Sequence, residues 1–299
     1  MVQFTDSERH IVTLFNPGAR FHYQGREYEV IISGKPITNK GEPKTDIYVK
    51  CREVNGSDEL EFKISFKQDN ADFLENKMTD ERAEQIFGPN WQSIISDFTK
   101  QIEGQFRSRP YIYKSKFRKT QAGSITLGWR FELLNKPGGD LSDIVNLTPE
   151  QVVEVYAGRK LSLSKKNATV NGRIIPDSGV ANCVINCDAT SVSNIQQAVD
   201  NIIHIEEFAK QNPNVYFACK ALNYRSFYEK IEGNRHLSVF IDWTVVHGKL
   251  HPNVTFDNPL VTRGRYVADR LVNSLGQLRI NNTDDINENN ITSLSYLHL

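Results

Sequence analysis

The chain has 299 residues, 39% of them hydrophobic and 24% charged, with 36 Lys plus Arg against 36 Asp plus Glu. This zero net charge excludes a general attraction to nucleic acid or membrane, so such a partner must meet a local cluster of charge. No apolar run approaches the roughly 20 residues of a membrane helix, and the polar start MVQFTDSERH does not resemble a signal peptide. We therefore expect a cytoplasmic protein with no membrane partner. The four cysteines lack zinc-ligand spacing and are expected to be reduced, mostly buried thiols.

The first elements along the chain are predicted strands. Residues 20–35 alternate and contain a glycine, which is typical of a strand pair or a bent strand. Residues 46–54 and 59–67 alternate cleanly between apolar and polar, which predicts two strands that each bury one face. Between them, Asn55-Gly56 is the strongest short-range signal for a two-residue hairpin turn. These two strands are therefore expected to form a hairpin.

Helical periodicity follows this hairpin. A helix is predicted over 71–87, with Gly88-Pro89 as its stop, and a second helix over 91–106. Further strands are predicted at 111–118 and 124–134. The sequence Asn135-Lys136-Pro137-Gly138-Gly139 then indicates a boundary between one region over 1–136 and another over 137–299.

The second region mixes both kinds of element. A capped helix is predicted to start at Thr148-Pro149, and further helices at about 192–211 and 263–277. Strands are predicted near 214–222 and 236–248, and the tail from Ile280, rich in Asn and acids, is expected to be loosely held. The fold class is therefore α/β or α+β, with a mixed central sheet flanked by helices. Residues 137–299 form either a separate α+β domain or part of one continuous fold.

The hairpin brings a carboxylate and an ammonium group together. If Asn55-Gly56 forms the turn, Asp46 lies opposite Ser65, and Lys67 projects to the same side. The other face carries the apolar residues Leu60, Phe62, Ile64 and Phe66. Hydrolysis of a phosphodiester uses such a group, because carboxylates bind Mg²⁺ and a nearby lysine orients the attacking water or stabilises negative charge.

The sequence Pro43-Lys44-Thr45-Asp46, followed by a strand that ends Ser65-Phe66-Lys67, resembles the PD-(D/E)XK nuclease superfamily, which includes most type II restriction endonucleases. In that superfamily the aspartate and the lysine lie on adjacent strands of a mixed sheet. This sequence departs from the pattern, because two residues separate the proline from Asp46 and Ser65 replaces the usual acid. The resemblance covers roughly residues 20–90.

A subgroup of restriction enzymes has Ser or Thr before the lysine and takes its second acid from the following helix, about a dozen residues later. Here thirteen residues separate Lys67 from Glu81, although the interval from Asp46 to Ser65 is shorter than in the subgroup. The resemblance implies that Asp46 and Glu81 hold Mg²⁺, and that Lys67 positions or activates the water. Ser65 would then hydrogen-bond a metal-bound water. Glu84, on the same helix face, is an alternative to Glu81.

A competing assignment stays open. Glu61-Phe62-Lys63 is a literal E-x-K on the same face of the same strand. The predicted hairpin register favours Lys67, because Lys63 would lie opposite Tyr48, further from the chain entry at Asp46. A longer turn with a different register would favour Glu61 and Lys63.

A basic segment follows in the chain. There is no acidic residue between Glu103 and Glu132. The candidate DNA contacts are Lys44, near the site, and the seven cations of this segment, Arg107, Arg109, Lys114, Lys116, Arg118, Lys119 and Arg130. Tyr111, Tyr113, Phe117 and Trp129 interleave with them, so the segment either neutralises phosphates beside stacked aromatics or is an ordinary solvated strand face. Candidates for base reading, or for an ordinary polar loop, are Arg159, Lys160, Lys165, Lys166, Asn167, Asn171 and Arg173.

These residues predict a Mg²⁺-dependent type II restriction endonuclease that cuts double-stranded DNA. Many such enzymes read palindromes, so a homodimer is expected, with each subunit cutting one strand. Two alternatives remain. One is a structure-specific or repair nuclease of the same superfamily, and the other is a non-catalytic nucleic-acid-binding or assembly protein with the same fold.

Overall fold

The structure is a computed structural model that describes residues 6–39, 41–68 and 73–299. Its strands in chain order are β1 (Arg20–Tyr23), β2 (Arg26–Gly34), β3 (Ile47–Glu53), β4 (Glu59–Lys67), β5 (Phe73–Glu75), β6 (Ile112–Tyr113), β7 (Ser124–Leu134), β8 (Ser142–Val145), β9 (Thr169–Val170), β10 (Arg173–Ile174), β11 (Cys183–Asn186), β12 (Ile202–His204), β13 (Val215–Arg225), β14 (Lys230–Ile231), β15 (Val239–Val246), β16 (Lys249–Thr255) and β17 (Leu297–His298). Its helices are α1 (Asp6–Leu14), α2 (Asp80–Phe87), α3 (Trp91–Gln101), α4 (Glu103–Arg107), α5 (Pro149–Ala157), α6 (Leu163–Lys166), α7 (Ile195–Asp200), α8 (Ile205–Gln211) and α9 (Gly264–Gln277). This mixture confirms the predicted fold class.

The chain passes back and forth between two compact units. The first unit comprises Met1–Asp72 and Leu147–Pro213, and the second comprises Phe73–Asn146 and Asn214–Leu299. The predicted boundary at residue 136 does not coincide with this division. The glycines that suggested it lie in a connection between β7 and β8, inside the second unit. Each unit is completed by a distant segment of chain, and such a crossing has no compositional signature.

The first unit contains a mixed sheet flanked by helices. Its strand order is β1-β2-β3-β4-β11-β12, with β11 parallel to β4 and the other neighbours antiparallel. Ile11 of α1 and Val199 of α7 share one buried cluster with Ile47, Phe62 and Ile64 of the sheet. Helix α8 contacts β11 and β12 and also packs on α5. Helices α1, α7 and α8 therefore pack on the sheet and support the strands whose ends are described below.

The β3–β4 hairpin keeps the predicted register with a different turn. Ile47 pairs with Ile64 and Tyr48 with Lys63, as the count from Asn55-Gly56 predicts. The predicted two-residue turn is wrong, because Glu53 N–H donates to the Asp58 carbonyl (2.9 Å) and a four-residue loop follows. Neither Asn55 nor Gly56 adopts a positive φ. The loop is one residue longer on each side than the predicted turn. One pair of facing strand residues is therefore lost, while every other side chain keeps its partner and its face of the sheet.

The second unit is built on a sheet with the order β14-β13-β7-β15-β16. Strand β7 is buried along almost its whole length, and its Phe131 stacks on Phe217 of β13 with ring centroids 5.4 Å apart. Phe87 of α2 and Phe98 of α3 pack on the same aromatic group. Helix α9 contacts β15 and β7.

The tail of the chain belongs to this core. Ile286 and Ile291 are 0% and 2% exposed, Leu250 and Ile291 form a bridge, and β17 pairs with β6. The prediction of a loosely held tail is therefore wrong. Its asparagines hold the turns together, since Asn282 caps the short 3₁₀ helix Thr283–Asp285.

Candidate active site

The ends of four strands meet at one edge of the first unit's sheet. Gly34, the last residue of β2, pairs with Tyr48 near the start of β3. Lys67 and Asn186, the last residues of β4 and β11, pair with each other. Residues that flank these strands are therefore collected at this edge, as expected where parallel strands end together.

Asp46 lies at this edge, directly before β3. Its N–H donates to the Ile64 carbonyl (2.8 Å), and its Oδ2 accepts a hydrogen bond from the Phe66 N–H (2.8 Å). Although the residue is half-buried, desolvation by the surrounding protein raises the pKa of Asp46 to about 6, against the opposing effects of Lys67, the Phe66 N–H and Lys35. The carboxylate is thus fixed in place, and the positive charge around it does not fully offset its burial.

Sequence reasoning missed two charged residues beside Asp46. Lys35 Nζ lies 2.6 Å from Glu8 Oε2, and these side chains are 23% and 15% exposed. Both act on the pKa of Asp46, which Glu8 raises and Lys35 lowers. Glu8 comes from α1 and Lys35 from the residue after β2, so no spacing in the sequence links them to Asp46. We call Glu8, Lys35, Asp46 and Lys67 the edge cluster.

The start of α1 is tied to the end of β4. The Gln68 amide donates to the Ser7 hydroxyl, one residue before Glu8. Ser65 and Lys67 share a strand face, as the register predicts; Ser65 is buried and Lys67 is partly exposed. Two carboxylates and two ammonium groups therefore lie around a single strand end.

The alternative pair occupies different surroundings. Glu61 accepts a hydrogen bond from the Tyr48 hydroxyl (2.7 Å), and the Lys63 N–H donates to the Asn182 side chain (2.8 Å). Lys67, and not Lys63, is among the groups that shift the pKa of Asp46. These contacts favour Lys67 as the partner of Asp46.

The predicted second acids belong to the second unit. Glu81 and Glu84 are exposed residues of α2, which begins after the Thr79 cap and belongs to the second unit. The helix expected from residue 71 starts later: residues 71–72 lie outside the described residues, and 73–75 form β5 of the second unit. Among the described residues of the first unit, Glu8 is the acid that acts on the pKa of Asp46.

The basic segment belongs to the second unit, where its arginines pair with the two acids that flank it, Glu103 and Glu132, and with Asp140. The ion pairs are Arg107–Glu103 (2.6 Å), Arg109–Asp140 (3.6 Å), Arg118–Asp140 (3.3 Å) and Arg130–Glu132 (3.4 Å). Lys114 donates to the Asp284 carbonyl (3.1 Å), whereas Lys116 and Lys119 are exposed. Tyr111, Tyr113 and Trp129 are buried, and only Phe117 of the four aromatics is exposed, at 37%. The aromatics therefore serve mainly the core.

Lys44 lies in the first unit, two residues before Asp46. Its N–H donates to the Gly179 carbonyl (2.9 Å), which fixes the chain that enters the edge cluster.

The donor set of the edge cluster fits Mg²⁺. In the described part of the chain, no three His, Cys, Asp or Glu residues are grouped to hold a metal. Magnesium commonly takes only one or two protein carboxylates and keeps several waters, so Asp46 and Glu8 suffice in number. A bound cation would also relieve the desolvation that raises the pKa of Asp46.

The remaining sequence expectations concern cysteines and membranes. The four cysteines, all among the described residues, form no disulfide, and Cys51, Cys183 and Cys219 are buried, as predicted. Across the described residues, no helix combines the length and apolar character needed to span a bilayer.

Comparison with known proteins found no matching family, curated protein or solved structure. The functional assignment therefore depends on the edge cluster itself.

Proposed function

We propose that the chain is a Mg²⁺-dependent endonuclease of the restriction type, which hydrolyses phosphodiester bonds in duplex DNA at the edge cluster. One observation carries the proposal: Asp46 and Lys67 flank adjacent strands of a mixed sheet, with Lys67 acting electrostatically on Asp46. This arrangement is the one implied by the resemblance to PD-(D/E)XK nucleases. The flanking helices of the first unit support it further.

Each member of the cluster has a proposed role. Asp46 and Glu8 would hold Mg²⁺, with Glu8 in the place first expected for Glu81. When bound, Mg²⁺ supplies positive charge that stabilises the phosphate as negative charge develops. Lys67 would orient the attacking water or stabilise that charge. Ser65, buried beside them, would hydrogen-bond a water of the site.

Lys35 has a different role in this proposal. Its ammonium group contacts Glu8 and lowers the pKa of Asp46, so it partly neutralises both carboxylates before a metal binds. Metal binding then has to compete with this contact. We further propose a homodimer, because a two-fold enzyme can cut both strands of a palindromic site. Sedimentation equilibrium of the full chain tests the dimer.

A second candidate function has one observation in its favour. The edge cluster contains as many ammonium groups as carboxylates, and the Glu8–Lys35 contact needs no metal. Because the positive and negative charges of the cluster balance without a metal, the cluster is also compatible with a non-catalytic nucleic-acid-binding protein with the same fold. The two candidates differ in their response to Mg²⁺, which should stabilise a nuclease by about 2.7 kcal/mol at one hundred times its Kd.

Cleavage of a long unmodified duplex by the full chain, with and without Mg²⁺, tests the proposal. The variants are Asp46→Asn and Lys67→Ala, with Lys63→Ala as the matched control. We expect discrete Mg²⁺-dependent fragments that the control retains and both other variants lose. Loss in Lys63→Ala alone would transfer the lysine's role to the literal E-x-K. Absence of cleavage on varied duplexes, together with no Mg²⁺ stabilisation, would favour the non-catalytic candidate.

A further inference from the structure

A second acid-free segment lies in the first unit. Residues 155–176, here called the basic insertion, contain no Asp or Glu but five cations, Arg159, Lys160, Lys165, Lys166 and Arg173. Arg159 pairs with Glu206. The other four have no acidic side chain within ion-pair distance among residues 6–39, 41–68 and 73–299. Lys160 and Arg173 are exposed and Lys165 and Lys166 are half-buried, so these four charges reach solvent without an acidic partner in the described part of the chain.

The basic insertion also has a defined shape. It forms the short helix α6 and the β9–β10 hairpin, in which Val170 pairs with Arg173. The turn residues Asn171 and Gly172 both have positive φ (49° and 80°), as a two-residue hairpin turn requires. Ile174 beside Arg173 is 72% exposed. The hairpin thus presents a cation and an apolar side chain to solvent on a small, rigid ribbon.

The hairpin is attached to the strand that leads into the edge cluster. Thr169 exchanges two backbone hydrogen bonds with Ile37 (2.8 and 2.9 Å), and the Asn171 amide donates to the Ser33 carbonyl (2.9 Å). A Cβ at Gly34 would lie 2.8 Å from Asn171 Oδ1, so a glycine there permits the close approach. Lys35 of the edge cluster is the next residue.

The chain that leads into Asp46 is also linked to the basic insertion, through Gly179. The Gly179 N–H donates to the Lys166 carbonyl (2.7 Å), and the Gly179 carbonyl accepts from the Lys44 N–H (2.9 Å). Asp46 follows Lys44 by two residues. The basic insertion therefore holds the chain around Lys35 directly, and the chain that precedes Asp46 through Gly179.

We infer that the basic insertion is the surface through which the first unit binds duplex DNA, with the β9–β10 hairpin entering the major groove. The choice of DNA rests on the proposed function, while the binding role itself does not require catalysis. Unpaired lysines suit phosphates, because their binding releases counterions. A two-stranded ribbon fits the major groove, where Arg contacts guanine and apolar groups contact the thymine methyl. Arg173 is placed to supply the guanine contact, while Ile174 lies on the opposite face of the ribbon.

Equilibrium binding without cleavage tests the inference. A fluorescent duplex is titrated with the full chain in EDTA at several salt concentrations, with a single strand and an acidic polypeptide as competitors. The insertion variant carries Lys165→Gln, Lys166→Gln and Arg173→Gln. The matched control carries Arg20→Gln, Arg52→Gln and Lys210→Gln, which also remove three cations from the first unit. Thermal unfolding of both variants verifies that they fold.

We expect the insertion variant to bind at least about tenfold more weakly, and its slope of log K against log salt to fall by up to about two, since its two lysines are placed on phosphates and each phosphate contact contributes roughly 0.9. The control should change affinity less than about threefold. Equal losses in both variants, or wild-type affinity in the insertion variant, would overturn the inference. Stronger competition by the acidic polypeptide than by duplex would also overturn it, in favour of a protein partner.

A cleavage assay of the same variants in Mg²⁺ separates this inference from the proposed nuclease. Duplex binding that depends on the insertion, without cleavage in Mg²⁺, would reject the nuclease and keep the inference. Cleavage by the insertion variant with an unchanged dependence on DNA concentration would keep the nuclease and reject the inference.

Discussion

The two acid-free segments of the chain have opposite electrostatic surroundings. In the second unit, four arginines of residues 107–130 lie within 4 Å of acids contributed by Glu103, Glu132 and Asp140. In the first unit, only Arg159 of the basic insertion has such a partner among the described residues. A nearby carboxylate repels the phosphate that a cation attracts, even where the exposed ion pair itself contributes little stability. The number of cations in a segment therefore does not measure its affinity for nucleic acid.

The largest expected effect concerns the second metal-binding acid of the proposed nuclease, for which Glu8 and Glu81 are the two candidates. We expect Glu8→Gln to lower the cleavage rate about 100-fold or more, because loss of a metal-binding carboxylate removes roughly 3 kcal/mol of transition-state stabilisation. Glu81→Gln, in the second unit, should change it less than about threefold. Single-turnover cleavage measures both. The reverse result would return the second ligand to α2, as the sequence first indicated.

Charge reversal tests the two segments directly. Changing Lys165, Lys166 and Arg173 to Glu should weaken duplex binding about 100-fold, because three attractive contacts become repulsive. The same reversal at Lys116, Arg118 and Lys119 of the second unit should cost less than about tenfold. Fluorescence anisotropy at fixed salt provides both values. Comparable losses would remove the distinction between the segments.

The second unit's cations should matter for stability instead. Glu132 is nearly buried, 3.4 Å from Arg130 and 3.1 Å from Lys220, although the lysine's approach is not that of a hydrogen bond. Glu132→Gln should lower the free energy of unfolding by about 2 kcal/mol, less than for a fully buried pair because both cations are partly exposed. DNA affinity should stay within about threefold. Urea denaturation measures the free energy of unfolding, and fluorescence anisotropy measures the DNA affinity. A Glu132→Gln variant that keeps its stability but binds DNA more weakly would contradict both expectations.

A smaller effect concerns pH. Because burial raises the pKa of Asp46 to about 6 in the metal-free protein, protons should compete with Mg²⁺ for this carboxylate, and the Mg²⁺ concentration that gives half-maximal cleavage should fall as pH rises through 6. Ionisation of a group whose folded pKa exceeds its unfolded value costs stability. The metal-free protein should therefore lose stability between about pH 4 and pH 6, and Asp46→Asn should lack this loss. Thermal unfolding across that range measures it, and an identical profile in the variant would contradict the assigned pKa.

Local patterns predicted the hairpin because they depend on short-range rules. Every second residue of each strand is apolar, and these residues define the buried face: Ile47, Val49 and Cys51 on β3, and Leu60, Phe62 and Ile64 on β4. The register survived an incorrect turn, because loops of two and four residues have the same parity. The capped helix from Pro149 follows equally local chemistry, with Thr148 and Gln151 forming a capping box.

Long-range contacts explain the errors. The helix predicted over 192–211 is two helices, because 202–204 form a strand that pairs with β11. The predicted strand over 111–118 retains only Ile112–Tyr113, since the following residues turn back at Phe117 and Thr120. Glu8 and Lys35 reach Asp46 only after the sheet has assembled. No spacing within a short window encodes those positions.

The late arrival of β11 matters during synthesis of the chain. Strand β4 ends at Lys67, whereas its parallel neighbour β11 begins at Cys183. The ribosome needs on the order of ten seconds to add the residues between them, so β11 follows β4 after that delay. Throughout that interval β4 is an open edge strand, a template for pairing with another nascent chain. One face of β4 carries charged side chains that discourage such pairing, namely Glu59, Glu61, Lys63 and Lys67. We therefore expect the charged pattern that resembles a catalytic motif to reduce pairing of the unfinished sheet with other chains.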